Sequence, residues 1–139
     1  MQRFAILFSA IAIILVSGCS ITSAGERERM LIIASSLTKL TKAVESTVRY
    51  KNPPSGIADG ELLKLSTLHD PGLLAPFAEY KVLAKSENRH AIVLVCTADG
   101  MRGLLEDVGC SANLDSHLWE LQIQNNCEFI LSVEDVCKN

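Results

Sequence analysis

The chain has 139 residues and a formal net charge of −3, and 48% of its residues are hydrophobic while only 5% are aromatic. This length suits one modest domain and is too short for two comfortable cores. The weak negative charge gives no basis for binding nucleic acid, and the scarcity of aromatic residues argues against a sugar-stacking surface.

The N-terminus combines a positive charge, an apolar run and small residues in the order of an export signal. Arg3 supplies the charge, residues 4–16 are almost entirely apolar, and Ser17 and Gly18 stand directly before Cys19. The apolar run is shorter than the roughly 20 residues that a bilayer-spanning helix needs. The segment is therefore predicted to be a signal peptide.

The sequence Val16-Ser17-Gly18-Cys19 resembles the lipobox of bacterial lipoproteins. The resemblance covers about the first 20 residues. It implies a signal peptide over residues 1–18, a lipid on Cys19 and a bacterial membrane as the location. In Gram-negative lipoproteins an Asp after the cysteine favours the inner membrane. Ser20 stands there, so the resemblance implies the periplasmic face of the outer membrane, with the inner membrane and the cell surface as open alternatives.

Residues 19–25 are predicted to be a lipidated tether, and residues 26–139 a single periplasmic domain. From Glu26 to about Tyr50, apolar residues recur at steps of three and four, which predicts a long helix that stops before Pro53. Its apolar seam consists of Met30, Ile33, Leu37, Leu40, Val44 and Val48. The seam packs either on its own domain or on a partner helix.

Charge is unevenly distributed along the chain. Residues 26–51 hold six basic and three acidic side chains, a balance of +3, whereas residues 98–139 hold two basic and eight acidic ones, a balance of −6. A basic segment next to a lipid anchor suits an anionic surface. The predicted partner-binding residues are therefore Arg27, Arg29, Lys39 and Lys42.

The middle of the chain predicts two short helices and a hairpin. A helix capped by Asp59 is followed by a second short turn, which Asp70-Pro71 opens and Pro76 ends. A strand beginning at Tyr80 and a continuous apolar strand over residues 91–96 then form an antiparallel hairpin, with the apolar strand central in the sheet.

Beyond Cys96 two interpretations compete. Residues 101–108 are predicted to form a short helix, with a hairpin tipped by Asp99-Gly100 as the alternative. Alternating residues over 119–124 and 127–131, joined by an Asn-Asn turn, predict another hairpin. The fold class is therefore α+β: a long N-terminal helix and short helices packed on an antiparallel sheet of about four strands, stapled by disulfides.

With Cys19 committed to lipid, four cysteines remain in an oxidising compartment, and four permit three pairings. Proximity along the chain favours Cys96 with Cys110 and Cys127 with Cys137, although the connectivity stays open. The spacing lacks the close cysteine pair that zinc sites usually use. We therefore predict disulfides, with neither a metal site nor a cofactor.

Candidates for catalysis are few. Asp115-Ser116-His117 has the residue types of a catalytic triad, but neighbours along one segment seldom face each other in the required way. His69 and His90 are predicted to be surface or boundary residues. The sequence shows no nucleophile elbow and no zinc-protease helix. We therefore expect binding rather than catalysis.

The expected function is that of a lipid-anchored accessory protein of the bacterial envelope, for instance a pilotin-like assembly factor for a secretion or pilus system. Its partners would be the membrane, through the lipid, and an envelope protein, with no nucleic acid and no small-molecule substrate. The alternative is an inhibitor or sensor of an envelope enzyme, similar to lysozyme inhibitors, which would use the acidic C-terminal half. A small envelope hydrolase is a third hypothesis.

Overall fold

The computed structural model describes residues 20–111, 119–120 and 126–137, with side chains from Ala24 onward. Internal contacts divide the chain into an N-terminal unit, Met1–Met30, and a larger unit, Leu31–Asn139. The described part of the first unit is the beginning of a helix. The larger unit contains the sheet and both disulfides. Within the described ranges, no helix is both long and apolar enough to cross a membrane.

Helix α1 is Ser20–Lys51. It begins earlier than predicted, because residues 20–25, expected to form an extended tether, are helical; adding residues to a nucleated helix is far less costly than starting one. It ends as predicted before the two prolines, at Asn52, whose φ of 46° leaves the helical region. All six residues of the predicted apolar seam are buried. The seam is therefore not available to a partner helix.

Two short helices follow α1. Helix α2 is Asp59–Ser66, with Ala58 rather than Asp59 in the N-cap position, and its buried leucines lie on the side that faces the sheet. A 3-10 helix, Pro71–Phe77, begins after Asp70 as predicted and runs through Pro76 instead of ending there. Phe77 is its buried residue.

The sheet has three antiparallel strands in the order β1-β2-β3: Tyr80–Glu87, His90–Thr97 and Gly103–Val108. The predicted first hairpin is confirmed. Its two-residue turn consists of Asn88 and Arg89, which both have positive φ, at 50° and 64°. This backbone geometry matches the twist of two-residue hairpins.

The helix predicted over residues 101–108 is wrong, since this segment contains β3. The alternative hairpin is observed instead. Gly100, with φ of 71°, donates its N–H to the Thr97 carbonyl at 2.8 Å, and the Thr97 N–H bonds the Arg102 carbonyl at 2.9 Å. Strand β2 is buried along almost its whole length, so the backbone groups on its second edge need a strand to pair with, and this requirement outweighs local helix preference.

The predicted second hairpin is not formed in the part of it that the structure describes. Trp119 and Glu120 lie in a turn, residues 121–125 lie outside the described ranges, and residues 127–131 form no strand. Cys127 has a φ of 54°, which interrupts an extended path. The sheet accordingly has three described strands rather than about four.

Side-chain alternation in residues 127–131 serves packing instead of strand pairing. Phe129 contacts both clusters of buried residues on the sheet, and Leu131 contacts one of them. The backbone N–H groups of Ile130 and Leu131 donate to the buried carboxylate of Glu106 on β3, at 3.0–3.2 Å. The Glu106 carboxylate thus accepts hydrogen bonds that would otherwise be made to the carbonyl groups of a neighbouring strand.

The two faces of the sheet are covered by different parts of the chain. We call one the helix face, which includes Val93 and Asp107 and lies against α1. The other is the disulfide face, which includes Ile92 and Leu94 and is covered by residues 126–137. Because successive side chains of a strand point to opposite faces, the neighbours Glu106 and Asp107 face different layers.

Two disulfides join the covering segment to the sheet. They link Cys96 to Cys127 and Cys110 to Cys137, with Cα–Cα distances of 5.7 and 5.8 Å. Disulfides are thus confirmed, but the pairing favoured by proximity along the chain is wrong.

Strand geometry explains this connectivity. Cys96 lies opposite Gly103, at the start of β3, whereas Cys110 follows the far end of that strand. The two are therefore separated by roughly 20 Å along the sheet, at about 3.3 Å per residue. The closed loops are long, and each bond contributes roughly 3–4 kcal/mol by restricting the unfolded chain.

Asp107 is the buried carboxylate of the helix face. Its side chain is 3% exposed and hydrogen-bonds the buried Thr41 of α1. Burial raises the pKa of this carboxyl from 3.8 to about 6, against the opposing effects of the Thr41 hydrogen bond and the Lys42 charge. The domain therefore contains a carboxylate that titrates within the mildly acidic range.

We predict that Asp107→Asn removes one component of the pH dependence of stability. Because the folded pKa is raised above the unfolded value, the stabilising contribution of Asp107 is fully present below about pH 4 and is lost as the pH rises through 6. Relative to the Asn variant, the parent should lose on the order of 2 kcal/mol of unfolding free energy between pH 4 and 7, after allowance for solvent screening.

Urea denaturation over this pH series measures the difference. Asp135→Asn, at an exposed position of helix α3 (Val133–Val136), is the control and should follow the parent. Parallel curves for the parent and Asp107→Asn would contradict the prediction.

Candidate functional site

The densest polar cluster in the described structure centres on the carboxylate of Glu45, in the C-terminal half of α1. Arg49 donates its Nε–H to Glu45 Oε1 at 2.7 Å, and Nδ1 of His90 lies 2.7 Å from the same oxygen. The other oxygen accepts the backbone N–H of Ala91 at 2.6 Å. One side chain of α1 thus binds the beginning of strand β2 through both of its oxygens.

Local sequence explains how these groups meet. Glu45 and Arg49 are one helical turn apart, a spacing that places them on the same face. The tight Asn88–Arg89 turn places His90 at the first position of β2. Gly109 lies against Glu45, and a Cβ at that position would be only 2.6 Å from Glu45 Cβ and Oε2. The close approach therefore requires a glycine there.

The proton positions follow from the donor groups. Nδ1 of His90 is also 3.1 Å from Arg49 Nη2, but this nitrogen cannot donate to a carboxylate and accept from a guanidinium at once. The shorter contact, to Glu45, assigns the proton to Nδ1. In the neutral form of this tautomer, the lone pair is on the other ring nitrogen, Nε2.

The cluster lies beside the half-buried disulfide. A ring nitrogen of His90 and the sulfur atoms of Cys110 and Cys137 are all within 4.8 Å of one another. All three residues are partly exposed, whereas Cys96 is fully buried and Cys127 is 7% exposed. The two disulfides therefore differ in their access to solvent.

A shallow polar cleft opens over the cluster. It has a volume of about 490 Å³ and is lined by Arg49, Tyr50, Asn88, Arg89 and His90. A neighbouring depression of about 430 Å³ shares Asn88 and Arg89 and extends to the Asn52–Gly56 loop. Two guanidinium groups and an imidazole make this end of the domain suitable for a negatively charged group.

A second surface is apolar. The groove between α2 and the 3-10 helix has a volume of about 450 Å³ and is lined mainly by Leu63, Leu68, Pro71 and Leu74. Leu68 is 62% exposed, and Lys64 stands at the edge. We call this surface the leucine groove.

The residues predicted from the sequence to bind a partner lie at the surface. Arg27, Arg29, Lys39 and Lys42 all lie on α1 and are exposed. Their role stays a prediction. Cys19 and the Asp115-Ser116-His117 segment lie outside the described residues.

Sequence reasoning missed the Glu45 cluster. The available signal was a charged residue within the buried stripe of α1, next to Val44 and one turn before Arg49. A buried carboxylate needs partners, so its position in the stripe indicates a polar network. Which residues supply the network is decided by strand pairing, and His90 was therefore predicted only to lie at a boundary.

Comparison of the chain with protein-family models, curated proteins and solved structures returned no match.

We predict that Glu45→Ala lowers the free energy of unfolding by about 3 kcal/mol, because it leaves Arg49 and the Ala91 N–H without their acceptor. Chemical denaturation monitored by circular dichroism measures the change. Glu128→Ala removes an exposed carboxylate and should alter stability by less than about 0.5 kcal/mol. Equal effects of the two substitutions would show that the Glu45 contacts add nothing.

Proposed function

We propose that this protein is a lipid-anchored accessory protein of the bacterial envelope that acts by binding an apolar segment of another envelope protein, in the manner of a pilotin-like assembly factor. The observation that carries this proposal is the leucine groove, an exposed apolar depression with a single cation at its edge. The buried seam of α1 cannot take this role, so the groove is the better candidate for contact with a partner.

The proposed anchor rests on the sequence. The lipobox-like residues ending at Cys19 supply the attachment point, and two disulfides are typical of an oxidising compartment. Ser20 after the cysteine favours the outer membrane over the inner one. Several acyl chains, at about 0.8 kcal/mol per buried methylene, hold a protein to a membrane durably.

The chemistry of the groove suggests the character of its partner. Leucine and proline side chains favour aliphatic residues, and the volume accommodates more than one of them. Lys64 at the edge favours an acidic residue beside these aliphatic ones. The proposed occupant is therefore an amphipathic segment of an envelope protein, with leucine-like side chains flanked by a carboxylate.

The alternative, an inhibitor or sensor of a basic enzyme, has less support. It requires an acidic surface, but Glu106 and Asp107 are buried within the sheet layers. Glu128, Glu134 and Asp135 remain exposed on the C-terminal segment. Asp99 and Glu120 are also exposed among the described residues, and the leucine groove is the better-defined surface in that part of the chain.

The lipid anchor is tested by metabolic labelling of the full chain with a fatty-acid analogue. We expect incorporation into the parent and complete loss in Cys19→Ala, because no other residue would carry the thioether. Ser23→Ala is the control and should label like the parent. Undiminished labelling of Cys19→Ala would refute the anchor.

The groove is tested by placing a photo-reactive amino acid at Leu68 and irradiating intact cells. Ile130, which is 58% exposed against 62% for Leu68, is the matched control position, on the C-terminal segment outside the groove. We expect an adduct specific to Leu68, in which mass spectrometry identifies an aliphatic segment with an adjacent acidic residue. Adducts that are equal at both positions, or that contain only lipid or a second copy of this chain, would contradict the proposal.

A further inference from the structure

The half-buried disulfide, Cys110–Cys137, lies beside a histidine, whereas the buried one does not belong to this group. Cys110 and Cys137 lie with His90 in a group whose potential ligand atoms are within 4.8 Å of one another. Two thiolates and an imidazole form one of the ligand sets that bind Zn²⁺. In the observed state the two sulfurs are bonded to each other, so a metal can bind only after that bond opens.

We propose that Cys110, Cys137 and His90 form a thiol-gated zinc site: the pair is a disulfide when oxidised and, with His90, binds one Zn²⁺ when reduced. The proposal is independent of the leucine groove and of the lipid anchor. It concerns different residues, beside Glu45 in the C-terminal half of α1, and it stands or fails separately.

The backbone geometry is compatible with both states. The Cα atoms of Cys110 and Cys137 are 5.8 Å apart. In a tetrahedral site with Zn–S bonds of about 2.3 Å, the sulfurs lie roughly 3.8 Å apart. Rotation about the two Cα–Cβ bonds brings the sulfurs to this separation from the same Cα positions, so the site requires no rearrangement of the strands.

Glu45 supplies the outer contact that zinc-binding histidines commonly have. Metal-bound imidazoles usually donate their other N–H to a carboxylate, which fixes the ring and its tautomer. The 2.7 Å contact between His90 Nδ1 and Glu45 has this arrangement before any metal is present. It leaves Nε2 as the nitrogen with a free lone pair. Glu45 is therefore a positioning residue, and water completes the fourth position.

Charge also balances at this site. Two thiolates neutralise Zn²⁺, while the Glu45 carboxylate is paired with Arg49 at 2.7 Å. Binding therefore introduces no net charge into a half-buried environment, where an unpaired charge would be costly.

The reaction has two steps. A dithiol reductant transfers two electrons and two protons to the Cys110–Cys137 bond and itself becomes a disulfide, which leaves two thiols on the protein. Zn²⁺ then forms two Zn–S bonds and one Zn–N bond, and the two thiol protons pass to solvent. In the reverse direction a small disulfide oxidant accepts two electrons from the two thiolates and, with two protons from solvent, leaves as two thiols, which restores the Cys110–Cys137 bond and releases Zn²⁺. The buried Cys96–Cys127 bond stays closed and holds residues 126–137 on the sheet throughout.

The test uses the full chain in detergent under anaerobic conditions. Mild treatment with a dithiol should open Cys110–Cys137 first, as alkylation and mass mapping would show. After removal of the reductant, Co²⁺ replaces Zn²⁺ as a spectroscopic probe. We expect uptake of one Co²⁺ per chain, with thiolate-to-cobalt charge-transfer absorption and the intense visible bands of tetrahedral cobalt, both of which added Zn²⁺ abolishes.

Variants separate the ligands from the rest of the fold. Cys110→Ser with Cys137→Ser should abolish the charge-transfer absorption, and His90→Gln should weaken Co²⁺ binding at least about tenfold. Glu45→Gln, which keeps an acceptor for Ala91, should weaken binding by about tenfold, in the range seen when outer contacts are removed, and shift the visible bands. His69→Gln, at an exposed histidine of the linker after α2, is the matched control and should bind like the parent.

Several results would overturn the proposal. They are the absence of thiolate-to-cobalt absorption in the reduced parent, equal binding by His90→Gln and His69→Gln, and earlier opening of Cys96–Cys127. A loss of the folded circular-dichroism signal on reduction that Zn²⁺ does not restore would also overturn it. If the double serine variant fails to fold, His90→Gln, which retains both disulfides, decides the question.

Discussion

The fold depends on strand β2, which is buried on both of its faces. Residues 91–96 are all fully inaccessible to solvent, so this strand needs a backbone partner on each edge and a covering layer on each face. Strands β1 and β3 supply the edges. Helix α1 covers the helix face, and residues 126–137 cover the disulfide face. A domain of this size gains most of its stability from such burial, and removing either layer would expose the face of the sheet that it covers.

Three buried carboxylates connect these layers, and each does so in a different way. Asp107 links β3 to α1 through Thr41, and Glu45 links α1 to the start of β2 through the Ala91 N–H. On the opposite face, Glu106 accepts backbone N–H groups of the C-terminal segment. Because a carboxylate accepts several hydrogen bonds, it can satisfy backbone donors where regular secondary structure ends. This explains why acidic residues that look like surface charge in the sequence lie inside the domain.

The proposed functions use what this architecture leaves at its surface. The leucine groove is an apolar depression outside the two-layered core, bounded by α2 and the 3-10 helix. The proposed thiol-gated zinc site lies at the Cys110–Cys137 bond, which is the second cross-link between the C-terminal segment and the sheet, beside the Glu45 cluster. The first cross-link, Cys96–Cys127, is buried and structural, so the second can open without releasing the segment. Because the two disulfides differ in exposure, we assign a structural role to the buried one and the proposed metal-binding role to the half-buried one.

Much of the helical part was determined by local sequence. The seam of α1, its end before the two prolines, the short helix after Asp59 and the hairpin around Asn88 all depend on periodicity or turn chemistry within a few residues. The export signal ending at Cys19 is likewise a purely local pattern, and it stays a prediction. These features are readable because neighbours along the chain decide them.

Only the tertiary structure decided the rest. Residues 101–108 became a strand because β2 needed a second partner, whereas residues 127–131 did not, because Glu106 accepts their backbone donors and Cys127 anchors them. The cysteine pairing followed from positions across the sheet, which separate Cys96 from Cys110 although they are near in sequence. The meeting of Glu45, His90 and the Cys110–Cys137 pair likewise depends on distant segments, since His90 is 45 residues from Glu45 and the two cysteines are 27 residues apart. Contacts of this range depend on which strands pair, and a single sequence carries no local signal for that choice.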